Sequence, residues 1–298
     1  MNQVKVFDNE IPLPDGALKR KAESLLGFDA RYERIRDQLR LLLSLDAVEA
    51  WNRKFHGGKL AMSALIAEQY PLAIFHGDVG TGKTAAAECM ADRMVREAGA
   101  EDSILFKLSN RVRGSGKVGE MGTLLAEAFQ RIAQSAGKTR RAIVIVDEGD
   151  SLATNRTEGN SHHEDKVAVN TLIQSIDELR RFGGRVVVFL CTNRASVLDP
   201  AVRRRAAIIE EFKRPDDEER RALFAMDLAG LNLSPAQINA LVAATKGKGD
   251  LPQFTYSDIR TRLYPAAIAL AFPKRGMTFA DLETVLQTVK ASPRLEDK

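Results

Sequence analysis

The residues Gly77-Asp78-Val79-Gly80-Thr81-Gly82-Lys83-Thr84 have the spacing G-x-x-x-x-G-K-[ST]. Glycines at those positions let the backbone curl until its N–H groups face phosphate oxygens. Lys83 would add a full positive charge at the β- and γ-phosphates, and the Thr84 hydroxyl is of the type that ligates Mg2+. The stretch follows an apolar run, Leu72-Ala73-Ile74-Phe75, and opens a helical one, so a helix dipole would aim at the same anion. A second glycine stretch, Gly114-Ser115-Gly116-Lys117, lacks the first glycine at the required spacing and reads as a basic loop.

Further on, the run Ala142-Ile143-Val144-Ile145-Val146 leads straight into Asp147-Glu148. An acid at the carboxyl end of a parallel strand sits at the ligand-binding edge of the sheet. Asp147 would hold Mg2+ through its water shell, and Glu148 would polarise the attacking water as a general base. An acidic pair after a strand can also cap a helix, but the phosphate loop upstream favours the catalytic reading. Another apolar strand ends in Thr192-Asn193. Asn193 is suited to position the water and sense the γ-phosphate; the plainer alternative is a turn asparagine. Next come Arg203-Arg204-Arg205. Three adjacent cations repel one another unless they face an anion. A neighbouring subunit's triphosphate would supply one, against the alternatives of a solvated basic face or a nucleic-acid contact.

These residues need a frame. Short, fully apolar strand candidates at 72–75, 104–106, 142–146, 186–190 and 207–209 alternate with helical stretches at 84–98, 119–135 and 165–181. That alternation predicts an α/β fold: a five-stranded parallel sheet with helices on both faces. Residues 1–24, with the Pro12-Leu13-Pro14-Asp15-Gly16 turn signal and a basic run at 19–21, read as a tail. Residues 25–213 would form the large α/β domain. Pro215-Asp216-Asp217-Glu218 resembles a helix start, and 214–298 would be a small all-α domain. Trp51 and Phe55, four apart on a helix, and the apolar tract 266–272 are expected in cores.

The chain has 298 residues with 44 basic and 40 acidic side chains, a net +4 that does not by itself imply nucleic-acid binding. The apolar share of 44% and the charged share of 28% exclude a wholly disordered chain, and two cysteines exclude a disulfide scaffold. With no apolar targeting segment and no run of membrane-spanning length, the expectation is a soluble cytoplasmic protein with buried free Cys89 and Cys191. His162-His163-Glu164-Asp165 has metal-ligand types, but adjacent histidines rarely converge on one ion; a second loop across 154–165 is the better reading.

The order phosphate loop, Asp147-Glu148, Asn193, arginine cluster and small helical domain resembles the AAA+ ATPases. Segments 115–129, 167–180 and 192–206 look like the pachytene-checkpoint type within them, whose members act on HORMA-domain proteins. The resemblance implies ATP as substrate with Mg2+, a ring, usually a hexamer, and a central pore that pulls on polypeptide. It implies adenine packing at Gly27-Phe28 and a trans-acting Arg205, with Arg204 as runner-up. Arg260 stands where a sensor arginine of the small domain would be sought. At the first pore loop the family has an aromatic; here Arg111-Val112-Arg113 stands, with Val112 as the gripping side chain. The short amino-terminal region is similar to bacterial members associated with HORMA proteins and nucleotidyltransferases in anti-phage defence. The expected partner is therefore a HORMA-domain protein, bound or not to a nucleotidyltransferase, with no nucleic acid and no membrane. The alternative is a nucleic-acid motor or loader on the same core, motivated by Arg111, Arg113 and Lys117. No interleaved aromatic platform supports it.

Overall fold

The computed structural model describes residues 5–43, 45–113, 119–151, 163–249 and 251–294. The basic loop at 114–117, the Arg113 side chain and the second-loop segment at 154–162 lie outside the described residues, as do the side chains of 163–165. By the density of its internal contacts the chain divides into two units. One holds Met1–His76 and Thr84–Glu211, the other Gly77–Lys83 and Phe212–Lys298.

The sheet has six strands: β1 (Phe7–Leu13), β2 (Leu72–Gly77), β3 (Ser103–Leu108), β4 (Arg141–Val146), β5 (Val186–Thr192) and β6 (Ile208–Phe212), in the order β1-β3-β4-β5-β2-β6. The pairs β3–β4, β4–β5 and β5–β2 are parallel. All five apolar runs read from the sequence are strands. The sixth strand corrects the sequence reading: residues 7–13 are an edge strand antiparallel to β3, not a tail. Phe7 and Leu13 are buried at its two ends, and Phe7 lies against Phe106 with ring centroids 4.8 Å apart. Asp15 then caps helix α1 (Gly16–Glu23) by accepting from the Leu18 N–H, and its own N–H donates to buried Asp92.

Central strands that are apolar throughout must be covered on both faces. Ala142, Val144 and Val146 join the core formed with helices α6 (Glu120–Ala136) and α7 (His163–Leu179), while Ile143 and Ile145, pointing the other way, are equally buried. Helix α6 buries Met121, Leu124, Leu125, Ala128, Phe129, Ile132 and Ala136, the stripe expected of a helix on a sheet. The intervening helices are α2 (Phe28–Leu43), α3 (Leu45–His56), α4 (Met62–Ala67) and α5 (Lys83–Glu97), and the short α8 (Pro200–Arg203) precedes β6.

In the other unit, helices α9 (Asp217–Asp227), α10 (Pro235–Ala244), α11 (Tyr264–Ala271) and α12 (Phe279–Leu286) carry the core residues Leu223, Phe224, Leu241 and Leu282. Asp216 and Glu219 form a capping box at the start of α9, and Ser234 with Gln237 forms another at α10. Two packing expectations fail. Trp51 and Phe55 are exposed, and the Trp51 ring packs on Phe55 and on the edge of His56. In the 266–272 tract Ala267 and Ala271 are buried but Ile268, Leu270 and Phe272 face outward: α11 is apolar on every side, and only its alanine side meets the unit's core. Among the described residues no helix is long and apolar enough to cross a membrane.

Candidate functional site

The glycine-rich loop is fixed by steric demands that only glycine meets. At Gly77, φ is +140° and an added Cβ would fall 2.1 Å from the Phe212 carbonyl oxygen. At Gly80, φ is +76° and a Cβ would collide with Thr255 and Ser257. The Ser257 N–H also donates to the Gly80 carbonyl at 3.1 Å, so this loop and the residues opening the turn 258–263 are in direct contact. Within the loop, the Thr81 hydroxyl donates to the Asp78 carbonyl at 2.8 Å. The buried Lys83 ammonium donates to the carbonyls of Gly77 (2.9 Å) and Asp78 (2.8 Å). Its charge is thereby held inside the curl formed by Gly77 to Gly82. Val79 is exposed at the tip.

One residue on, Thr84 Oγ1 donates to Asp147 Oδ2 at 2.9 Å. Asp147 lies just past the end of β4, as its sequence position requires. A hydroxyl and a carboxylate oxygen at this separation form a hard-oxygen donor set, which fits Mg2+ and suits neither zinc nor copper. Among the described residues no group of three or more His, Cys, Asp or Glu could hold a metal by itself.

Glu148 has a left-handed backbone, φ 51°, unusual for a residue with a side chain. Its Oε2 accepts a hydrogen bond from Asn110 Nδ2 at 3.1 Å. Asn110 was not singled out in the sequence. Its signal was there to read: a polar side chain two residues beyond the carboxyl end of β3, matching the position of Glu148 beyond β4. Asn193 follows β5, where Thr192 Oγ1 donates to Asp150 Oδ1 at 3.3 Å.

Other expected site residues have different company. Val112 is completely buried in the core with Leu108 and Met121, so it cannot grip a client; Arg111 beside it is exposed. The apolar side chain went inward because the short helical turn 110–113 packs against α6. Arg205 makes a bidentate pair with Asp177 (2.6 and 2.9 Å), donates to the Ala201 carbonyl and lies over the Tyr70 ring. Arg203 and Arg204 are exposed. Arg260 is bidentate to Asp227, both bonds 2.7 Å, and not to the loop; the residues that meet Gly80 are Thr255 and Ser257. Gly27 has φ +70° and is exposed, while Phe28 is buried, stacked on Tyr32, with the Arg93 guanidinium nearby. The Tyr32 hydroxyl donates to Glu97, and burial together with that carboxylate raises its pKa. Cys89 and Cys191 are buried and not joined in a disulfide, and burial pushes the Cys89 thiol up to about 12, which disfavours the thiolate.

Comparison with known proteins agrees with this geometry. Residues 73–214 match the family model for the ATPase family associated with various cellular activities (AAA). The chain is 60% identical to CD-NTase-associated protein 6 of Escherichia coli strain KTE188 over 297 residues, covering 100% of each. Among solved structures it is similar to a chain of the E. coli MS115-1 HORMA:CdnC:Trip13 complex, with a TM-score of 0.87, 34% identity and 98% of each chain covered. It is also similar to Rhizobiales Trip13, with a TM-score of 0.70, 31% identity, and 96% of this chain and 99% of that one covered. The phosphate loop, the Thr84–Asp147 pair and Glu148 stand inside the matched segment, and the chain belongs to the AAA ATPases, to the Trip13-like family of CD-NTase-associated protein 6.

Proposed function

We propose that this ATPase works in the cytoplasm as a ring, a hexamer by analogy with its family. It uses ATP hydrolysis to remodel a HORMA-domain protein and so switches off a nucleotidyltransferase that the HORMA protein activates in anti-phage signalling. The observation that carries this reading is the likeness, over nearly the whole chain, to a Trip13 chain solved together with HORMA and CdnC. The close relative's name, which ties it to a CD-NTase, points the same way.

In this reading residues 25–213 form the ATPase domain and 214–298 its lid. The backbone of Gly77–Gly82 and the Lys83 ammonium bind the triphosphate. Thr84 and Asp147 would hold Mg2+, which when bound would neutralise developing charge on the phosphates. Glu148 takes a proton from the attacking water, and Asn110 sets the direction in which its carboxylate points. Asn193 lies after the neighbouring strand and orients the same water. Arg204, exposed, reaches a neighbouring subunit's γ-phosphate, while Arg205, bound to Asp177, shapes that arginine segment. Gly27 and Phe28 bring α2 toward the adenine. Arg111 and Arg113 offer cations to an acidic client segment.

Glu148→Gln retains nucleotide but stalls hydrolysis, so it is the variant with which to trap the client. Captured from native cells with ATP, it should retain a HORMA-type protein. Recovery of DNA or RNA with no protein client would overturn the remodelling reading in favour of a nucleic-acid motor.

A further inference from the structure

Asp78 is an unusual neighbour for a triphosphate. It is the second residue of the loop that must receive three phosphates, and it carries a negative charge. Its Oδ1 accepts from the Val79 N–H at 2.9 Å, and its Oδ2 accepts from Arg214 Nε at 2.6 Å. Arg214 is 93% buried and Asp78 only partly exposed, so water screens this pair poorly. The rest of the Arg214 guanidinium is also engaged. Nη1 donates to the Gln253 carbonyl at 2.7 Å, and Nη2 to the carbonyls of Ser292 (2.9 Å) and Pro293 (3.0 Å). One planar cation thus joins the phosphate loop to two other segments, a geometry for which the guanidinium fork is suited and an ammonium is not.

A second set of bonds runs between the same segments. Buried Asp258 accepts from the Thr255 N–H (2.9 Å), and from the Ser292 N–H (3.2 Å) and hydroxyl (2.5 Å). Thr255 and Ser257 are the residues that pack on Gly80. The segment at 292–293 is therefore bonded to the loop by two routes, through Arg214 to Asp78 and through Asp258 to the turn against Gly80.

We propose that Arg214 is a positioning residue for nucleotide binding: it neutralises and turns aside the Asp78 carboxylate, and it makes the shape of the phosphate loop depend on the docking of Ser292 and Pro293. The inference rests on Gly77–Thr84 being the nucleotide site, not on the identity of the client. By linkage the dependence is reciprocal: a nucleotide that favours the ordered loop must also favour the docked segment.

The test measures binding of a fluorescent ADP, and KM and kcat for ATP, in the full-length protein and three variants. Arg214→Ala should raise the Kd for ADP and the KM for ATP about tenfold, with a smaller change in kcat. Asp78→Asn alone is the reference against which the double variant is read. Asp78→Asn combined with Arg214→Ala should regain most of the lost affinity, because the carboxylate left bare is gone. A merely structural arginine predicts the opposite, since the double variant restores no packing. Arg214→Ala within twofold of the unaltered protein, or a double variant no better than the single, overturns the proposal. Should the alanine variants fail to fold, hydrogen exchange on the unaltered protein decides: ADP should slow exchange of the amides at 289–294, and unchanged exchange there with ADP bound overturns it. An unaltered protein that binds no ADP would sink the assignment of the phosphate loop instead.

Discussion

The Asn110 carboxamide donates to the Glu148 carboxylate, Nδ2 to Oε2 at 3.1 Å, across the carboxyl ends of the adjacent parallel strands β3 and β4. The bond holds the carboxylate to which the proposed function gives the proton from water, and it ties that carboxylate to the segment carrying exposed Arg111. Asn110→Asp would set two carboxylates at that separation, and each disfavours ionisation of the other. The acidic limb of the kcat–pH profile should move up in Asn110→Asp, and less in Asn110→Ala, which only removes the donor that favours the ionised carboxylate. A profile unchanged in Asn110→Asp would show that the contact plays no part in turnover.

Removing the proton acceptor itself should act far more strongly. Glu148→Gln keeps the size and polarity of the side chain and should lower kcat by about 10²- to 10⁴-fold. Nucleotide affinity should stay within a few fold, since glutamine keeps the size and polarity of the side chain. Single-turnover hydrolysis alongside equilibrium ADP binding separates the two quantities.

Asp147 accepts from Thr84, and the two together present the oxygen donors suited to Mg2+. Asp147→Asn should abolish hydrolysis and also the strengthening of nucleotide binding by Mg2+. Titrating Mg2+ against bound ATP checks this. A Mg2+ dependence identical to that of the unaltered protein would remove Asp147 from the metal site.

The arginine cluster divides by partner. Arg205→Ala removes a bidentate pair with Asp177 and the packing over Tyr70, so it should lower Tm by about 2–4 °C per kcal/mol lost. Arg204→Ala, at an exposed position, should leave Tm unchanged and depress ATPase activity. Differential scanning fluorimetry with a steady-state ATPase assay distinguishes them. A loss of activity in Arg205→Ala with no change in Tm would reverse the assignment.

Asp258 carries a pH signature. Burial works to raise its pKa, but hydrogen bonds from Ser292 and Thr255 outweigh it, and the net shift is downward from 3.8. A depressed folded-state pKa means that its stabilising contribution is complete above the unfolded value and is lost as pH falls through the folded one. The Tm of the unaltered protein should therefore drop more steeply below about pH 4 than that of Asp258→Asn, with the two curves converging in acid.

Much of the frame was legible because it rests on local pattern. The five apolar runs could only be buried strands, and the loop between Phe75 and Thr84 announced itself by glycine spacing. What stayed hidden depends on long-range pairing. Residues 7–13 carry a Pro and several polar side chains, and only their position at the sheet edge, with one face outward, makes that composition acceptable for a strand. Arg214 was not singled out, because nothing local links it to Asp78, 136 residues earlier. Val112 was placed by its match to the family's first pore loop; its burial depends on the packing of 110–113 against α6, which nothing local in the sequence announces.

The edge strand also bears on how the chain comes to be folded. β1 is synthesised well before its partner β3, which follows only after the whole of β2 and α5. On the ribosome the first strand must wait unpaired, and until it docks β3 offers an open row of backbone donors and acceptors to any other nascent chain. A chain begun at Leu25, where the sequence alone places the domain boundary, would never close that row. It should aggregate during expression even though every residue of the phosphate loop is present.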